Sequence, residues 1–292
     1  MTGPSPAALH GRADGATPCP RAIARGAALY PAAFEDLDRP PAAWHVCGRW
    51  PLAAPAVAIV GSRAATAYGR AIARRLACDL AAQGVVVVSG LAHGIDAAAH
   101  AGALEAGGAT LAVLPGGIDT VVPAGHRALA LRIVERGAWG SEHPAGVPAH
   151  RGRFLERNRL IAALAQATVV VEAAARSGAL STAAAARRLG RPVFAVPGDV
   201  DRETSRGCHR LLREGARVCE GAGDVLDVVG RSAGTAAPMA RLRDALSGEP
   251  ATVETLARAV GLSARETAAL LDRLRWSGLA APRAGQRWVR GG

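Results

Sequence analysis

Runs of consecutive apolar residues recur along the middle of the chain, at Val57–Val60, Val85–Val88, Thr110–Leu114, Thr168–Val171 and Val193–Val196, with a shorter one at Ala138–Ser141. Continuous rather than alternating hydrophobicity marks strands covered on both faces. Between the runs the period changes. From Tyr68 to Ala82, Ile72, Leu76 and Leu80 stand four residues apart with Arg70, Arg74 and Arg75 elsewhere, which predicts an amphipathic helix. This alternation over 56–229 predicts an α/β fold: an extended Rossmann-like, doubly wound, mostly parallel sheet with right-handed crossovers.

The flanking segments read differently. Residues 1–28 are rich in Pro, Gly and Ala without periodicity, and disorder is expected there. Residues 29–55 carry several prolines and the aromatics Tyr30, Phe34, Trp44 and Trp50, which predicts an irregular arm packed on the main domain. Residues 230–239 read as a linker. In 240–292, helical patterns at Ala240–Leu246, at Val253–Val260 and from Ser263 precede a Gly285-centred hairpin pattern, predicting a small C-terminal winged-helix domain. Ser263 and Glu266 have the spacing of a capping box, and Leu270, Leu271 and Leu274 give the last helix an apolar face.

Charge narrows the class. The 292 residues carry a formal net charge of +11, every basic residue being Arg, which points to an anionic partner such as nucleic acid. Aromatics are only 3% of the chain, so its core must be built mainly from Ala, Val and Leu. The five cysteines show no paired spacing, so no zinc or redox motif is indicated, and reduced cytosolic thiols are expected. No secretory leader pattern and no uninterrupted apolar stretch of about 18 residues is present, so a cytoplasmic chain without membrane contact is expected.

Chemistry concentrates where predicted strands run into helices. The first strand ends in Gly61-Ser62-Arg63, a small-residue turn with a fixed positive charge at the site where such sheets bind ligands. G-x-G-x-x-G and a Walker A loop are absent, so a polyanion is favoured over a dinucleotide and no cofactor is expected. Phosphates are expected at the helix N-termini that follow this strand and the strand ending at Val171. There, Glu172 leads through a small-residue loop to Ser177-Gly178, a second anion site, and Glu172 can brace an arginine across the cleft.

A third group runs from Arg151 to Ile161. Arg153 and Arg157 share a helical face, Phe154 can stack on a base, and Asn158 can read a base edge or cap a backbone group. Asp96 and His100 stand four apart, but a third ligand at metal-site spacing is missing, so no metal site is expected. Nucleophile signatures such as G-x-S-x-G are missing too. The run Leu114-Pro115-Gly116-Gly117-Ile118-Asp119-Thr120 resembles the loop of nucleoside-monophosphate phosphoribohydrolases, but Val121-Val122-Pro123 follows where their catalytic Glu belongs. A winged-helix regulator of duplex DNA, carried by Arg265, Arg273 and Arg275, is the other alternative.

In combination these segments resemble the DNA-processing protein A (DprA/Smf) family. The resemblance covers Tyr30-Pro31, Val57–Arg63 with Tyr68-Gly69, and Ser89-Gly90 with Gly94-Ile95-Asp96 and His100. It continues through Ser141-Glu142 with Pro144, Phe154 with Arg157-Asn158-Arg159, Val170–Ala173 with Ser177-Gly178, Pro197-Gly198 and Gly207-Cys208. It implies a non-enzymatic single-stranded-DNA binder that protects incoming strands in natural transformation and loads the RecA recombinase, working as a homodimer through the Rossmann domain. The resemblance agrees with the residues on Arg63 and adds Arg157 and Arg159; the expected DNA contacts are then Gly61, Ser62, Arg63, Phe154, Arg157, Asn158, Arg159, Ser177 and Gly178, with Arg153, and His126 or Arg127 in place of a family contact, as additional candidates. The chain departs from the family pattern at Val122, at Ala124-Gly125 and at His209, and residues 1–28 are expected to be too few and too irregular for the N-terminal helical domain found in many members.

Overall fold

The computed structural model describes residues 20–52, 54–230, 242, 245–260, 262–276, 280–285 and 287–291, without the side chains of 266, 269, 273 and 276. The chain divides into two units, Met1–Val229 and Gly230–Gly292.

The first unit is built on a nine-stranded sheet in the order β1-β2-β6-β5-β4-β3-β7-β8-β9. Its strands are β1 (Arg21–Ala24), β2 (Ala43–Gly48), β3 (Ala56–Val60), β4 (Val86–Ser89), β5 (Thr110–Val113), β6 (Ala138–Ser141), β7 (Ala167–Val170), β8 (Val193–Ala195) and β9 (Arg217–Val218). From β6 to β9 every neighbour is parallel, and β1 and β2 add an antiparallel edge. The chain builds outward from β3 through β4, β5 and β6, then returns to β3's other side with β7. That reversal places the ligand crevice between the C-terminal ends of β3 and β7.

Helices α1 (Ala67–Ala82), α2 (Ile95–Glu105), α3 (Arg127–Arg136), α4 (Arg151–Glu156), α5 (Asn158–Leu164), α6 (Ala179–Arg188), α7 (Arg206–Arg213) and α8 (residues 222–230) cover the sheet. One core layer joins Ala58, Val60, Val88 and Val170 to Leu160 and Ile161 of α5, Ala183 and Ala186 of α6 and Leu211 of α7. The opposite layer joins Val57, Ile59, Val87 and Val169 to Leu76 and Leu80 of α1 and Ile95 and Ala99 of α2. Alternate residues of one strand thus feed opposite layers, as the period-two geometry requires.

Two sequence expectations need correction. The segment 29–55 is more than an irregular arm, because 43–48 is β2, bonded to β6 from His45↔Ser141 to Gly48↔Ala138. Trp44 and Val46 are fully buried, and the Trp44 ring meets Phe34 edge-on at 5.2 Å. Disorder through residue 28 also fails in part, since 21–24 is β1, paired with β2; only Ile23 of that strand is buried. Its order comes from backbone bonds to β2, which side-chain periodicity does not register. Residues 1–19 lie outside the described residues.

The second unit contains β10 (Ala251–Thr252), α9 (Val253–Val260), α10 (Ala264–Trp276), β11 (Ala280–Arg283) and β12 (Arg287–Arg290). The strands form an antiparallel sheet in the order β10-β12-β11, and Gly285 turns the hairpin with φ +74°. Leu256, Val260, Leu270, Leu271 and Leu274 make its core. The Glu266 half of the expected capping box, the Arg273 side chain, the linker beyond Gly230 and most of the helix expected over 240–246 lie outside the described residues.

Candidate nucleic-acid interface

At the end of β3, Gly61-Ser62-Arg63 turns over the crevice. Ser62 N donates to Glu172 O at 2.7 Å, tying the turn to the loop after β7, and Ile95 N donates to Ser62 O at 3.2 Å. Gly94, with φ +76°, lies so close beneath the turn that a Cβ would stand 2.2 Å from Ser62 O. The backbone of the turn is therefore held from both sides while the Arg63 side chain is exposed.

The Arg63 guanidinium lies over the Phe154 ring, 4.5 Å from its centroid. Among the described residues it has no ion-pair partner within 4 Å. Phe154 is half-buried on α4, and the cleft beneath it is lined by Gly61, Arg63, Asp96, Asn158, Gly178 and Ala179. The first turn of α6 opens into this cleft. Ser177 Oγ accepts from Ala179 N at 3.3 Å, and Gly178 is exposed. Cation, aromatic face and helix N-terminus thus meet on one side of the crevice.

The other helix N-terminus is taken. Glu172, only 5% exposed, accepts from Thr66 N at 2.9 Å and from Thr66 Oγ1 at 2.5 Å, so a carboxylate already sits at the start of α1. The expectation of a phosphate at that terminus is corrected: a second anion there would meet a fixed negative charge. Glu172 braces α1 rather than an arginine.

The structure separates the arginines that sequence grouped together. Arg157 stands one helical turn from Arg153, its N–H donating to Arg153 O at 3.0 Å, but at 3% exposure its guanidinium is turned into the protein and is not part of an outer basic face. Its Nη1 donates to the carbonyls of Gly90 (2.7 Å) and Val113, and its Nε to Asn158 Oδ1 at 3.1 Å. A Cβ at Gly90 would lie 2.1 Å from Arg157 Nη2, so any side chain there displaces the buried guanidinium. Burial lowers the Arg157 pKa to about 10, with Asp96 at 4.0 Å partly opposing the shift, so Arg157 remains charged at neutral pH. Asn158 is 8% exposed, and its amide donates to Gly178 O and Ser181 Oγ. Both residues shape the cleft from inside instead of presenting an open contact surface. Arg159 is paired with Glu142 at 2.5 Å and is largely covered, so its charge is already neutralised. Arg153 turns back to Pro148 O.

Beside the 90–94 loop, His126 Nδ1 bonds Leu91 O at 2.9 Å and its ring meets the His93 ring at 4.7 Å; Arg127 is exposed at the start of α3. Leu91 is a buried non-glycine residue with φ +58°, so the 90–94 loop is a constrained segment, held by Arg157 at Gly90 O, by Asp96 at Ala92 N and by His126 at Leu91 O. Sequence reading missed this loop as a cleft wall; its Gly90 and Gly94 were the available signal. The Asp119 carboxylate of the phosphoribohydrolase-like loop accepts from Gly146 N at 3.1 Å and braces that loop.

Asp96 and His100 do not converge on a metal. Asp96 accepts from Ala92 N at 3.3 Å, whereas His100 Nδ1 bonds Thr110 Oγ1 at 2.7 Å. The Thr110 hydroxyl donates to Val87 O, so the His100 proton is on Nδ1. Its Nε2 is buried without a partner. Burial, with Arg157 and His126 nearby, lowers the His100 pKa to about 3. Unfolding frees the imidazole to bind a proton, so this contribution to stability is full above pH ~6.5 and is lost as pH falls. From this residue alone, stability at pH ~5 should be about 2 kcal/mol below that at neutral pH. Asp96, whose pKa burial raises, has the opposite sign, so the measurement is the difference in pH slope between the wild type and His100→Asn in chemical denaturation. Equal slopes would refute the assignment.

Comparison with known proteins places this geometry in context. The family profile described as DNA recombination-mediator protein A matches residues 21–230. A putative DNA processing protein DprA of Mycobacterium tuberculosis is 57% identical over 175 residues, which cover 60% of this chain and 45% of that protein. The X-ray structure of DNA processing protein A from Streptococcus pneumoniae superposes with a TM-score of 0.67 at 35% identity, covering 71% of this chain and 73% of the other. A Helicobacter pylori structure, reported for the single-stranded DNA binding mode of its DNA processing protein A, gives a TM-score of 0.64 at 31% identity, covering 69% and 93%. The chain spans about half the length of the curated relatives it matches first.

Proposed function

Because the chain belongs to the DNA recombination-mediator protein A family, we propose that it binds single-stranded DNA across the β3/β7 crevice and passes the strand to a RecA-type recombinase. The observation that carries this reading is the exposed Arg63 guanidinium, stacked on Phe154 beside the open first turn of α6. A phosphate takes Arg63 and the Ser177-Gly178 turn, and a base reaches the Phe154 ring as Arg63 moves off it onto the phosphate. Arg157 and Asn158 position these groups, and Arg127 and His126 extend the basic rim. In this reading the work is binding and hand-over rather than bond chemistry. Phosphate contact draws on charge and base contact on π-faces, so a strand without a partner is favoured over a closed duplex.

The same reading has the protein protect incoming strands in natural transformation, in the cytoplasm, as a homodimer through the sheet domain. Its second unit acts as a winged-helix module, an inference supported by the order β10-α9-α10-β11-β12 and by exposed Arg265 and Arg275 on α10. Among the described residues no helix is long and apolar enough to cross a membrane.

Fluorescence-anisotropy titration of single-stranded and duplex oligonucleotides across a salt series tests the proposal. With three or four phosphates neutralised, log K should fall linearly with log salt at a slope of roughly −2 to −3 for the single strand. Duplex preference, or affinity indifferent to salt, would count against it.

A further inference from the structure

A second cavity, of about 390 Å³, opens at the C-terminal ends of β7 and β8, on the α1 side of the β3/β7 crevice. Its volume lies within the roughly 300–1,000 Å³ of small-ligand sites. Tyr68, 53% exposed on the first turn of α1, lines one side. Glu172, Asp199, Arg202 and Ser205 supply its other polar side chains, above a floor that includes Val171 and Val196. The loop bearing Asp199 is held in place, since Gly198 O accepts from His209 Nε2 at 3.0 Å and Arg202 N donates to Asp199 O at 3.3 Å.

The charges in this cavity are the reverse of those at Arg63. Two carboxylates against one guanidinium leave a formal excess of one negative charge, so the cavity disfavours a phosphate and favours a group rich in N–H donors. Asp199 and Arg202 sit side by side, Nε to Oδ2 at 2.6 Å, with 65% and 55% of their side chains exposed. An exposed pair of this kind contributes little to stability, so both groups can be recruited by a ligand.

We infer that this cavity receives a guanine base. Guanine is the DNA base whose pairing edge offers two adjacent N–H donors, N1 and N2, beside the acceptor O6. A carboxylate accepts both donors and a guanidinium donates to O6 and N7, the two functions that Asp199 and Arg202 supply together. Tyr68 provides a face on which the ring stacks. The base comes either from the strand held at Arg63, in which case the inference rests on the proposed function, or from a free guanine nucleotide.

The test uses the full chain. An oligo-dT of about 15 nucleotides is compared by anisotropy with the same strand carrying one central dG, and with one carrying deoxyinosine, which lacks the N2 amine. Free GMP is titrated separately by calorimetry. If the base comes from the strand, one dG tightens binding roughly five- to a hundredfold and deoxyinosine loses most of that gain. Asp199→Asn and Tyr68→Ala then bring the dG strand to the oligo-dT level while leaving oligo-dT affinity unchanged. If the base is that of a free nucleotide, GMP binds with the same dependence on Asp199 and Tyr68 and the strands are not distinguished. Absence of guanine preference in both arms, or a preference that survives Asp199→Asn, overturns the inference. Failure of wild-type protein to bind oligo-dT would instead sink the single-strand reading, and the GMP titration would still decide the cavity.

Discussion

Arg63→Ala should weaken binding of a single-stranded oligonucleotide about ten- to a hundredfold and leave the melting temperature unchanged. The size follows from a charge-assisted hydrogen bond to phosphate, worth about 1.5–3 kcal/mol when formed by an otherwise unpaired donor. Arg63 meets that condition, being exposed and resting on Phe154 rather than on a carboxylate. The fold does not depend on it, because the turn is held by backbone bonds from Ser62 and by Gly94 beneath. Arg63→Lys should fall between wild type and alanine, since an ammonium keeps the charge but loses the planar stack and the fork. Paired anisotropy and thermal-melting measurements decide the matter, and an alanine variant with wild-type affinity would remove the central contact.

Arg157→Met should show the opposite profile: a loss of about 3–5 kcal/mol in stability, with a melting temperature lower by roughly 6–20 °C. The guanidinium ties the loop after β4, the end of β5 and the start of α5 through Gly90 O, Val113 O and Asn158 Oδ1. Its removal strands these acceptors and leaves the Asp96 carboxylate buried without its cation. Lysine should not restore stability, because the bonds leave from Nε and Nη1 of one planar fork and a single ammonium cannot reach all three acceptors. DNA affinity should fall as well, through displacement of the 90–94 loop that walls the cleft. A variant melting with the wild type would show that Arg157 is not the strut described.

Both arginines stand in short basic motifs, Gly61-Ser62-Arg63 and Arg157-Asn158-Arg159, and as letters they are equivalent. What distinguishes them lies far away in the chain. Arg159 loses its free charge to Glu142, and Arg157 is captured by carbonyls of β5 and the β4 loop. The strands were legible for a simple reason: a strand covered on both faces must be apolar at every position, as in Ala56–Val60 and Ala167–Val170. β2 was harder to read, because only Trp44, Val46 and Cys47 of its six residues are buried and prolines stand close by. Its order depends on its hydrogen bonds to β6, some 90 residues later in the chain.

By itself the sequence determined the α/β framework, the place where its strands stop and the presence of a fixed cation at the first of those stops, because these follow from local apolar runs and from residue type. Which charges stay free was decided only by the tertiary structure. Glu172 reaches Thr66 across 106 residues and closes one helix terminus to anions, while the terminus of α6 stays open beside Arg63. Pairing and burial depend on which atoms the fold brings within a few ångströms, and no local pattern encodes that distance.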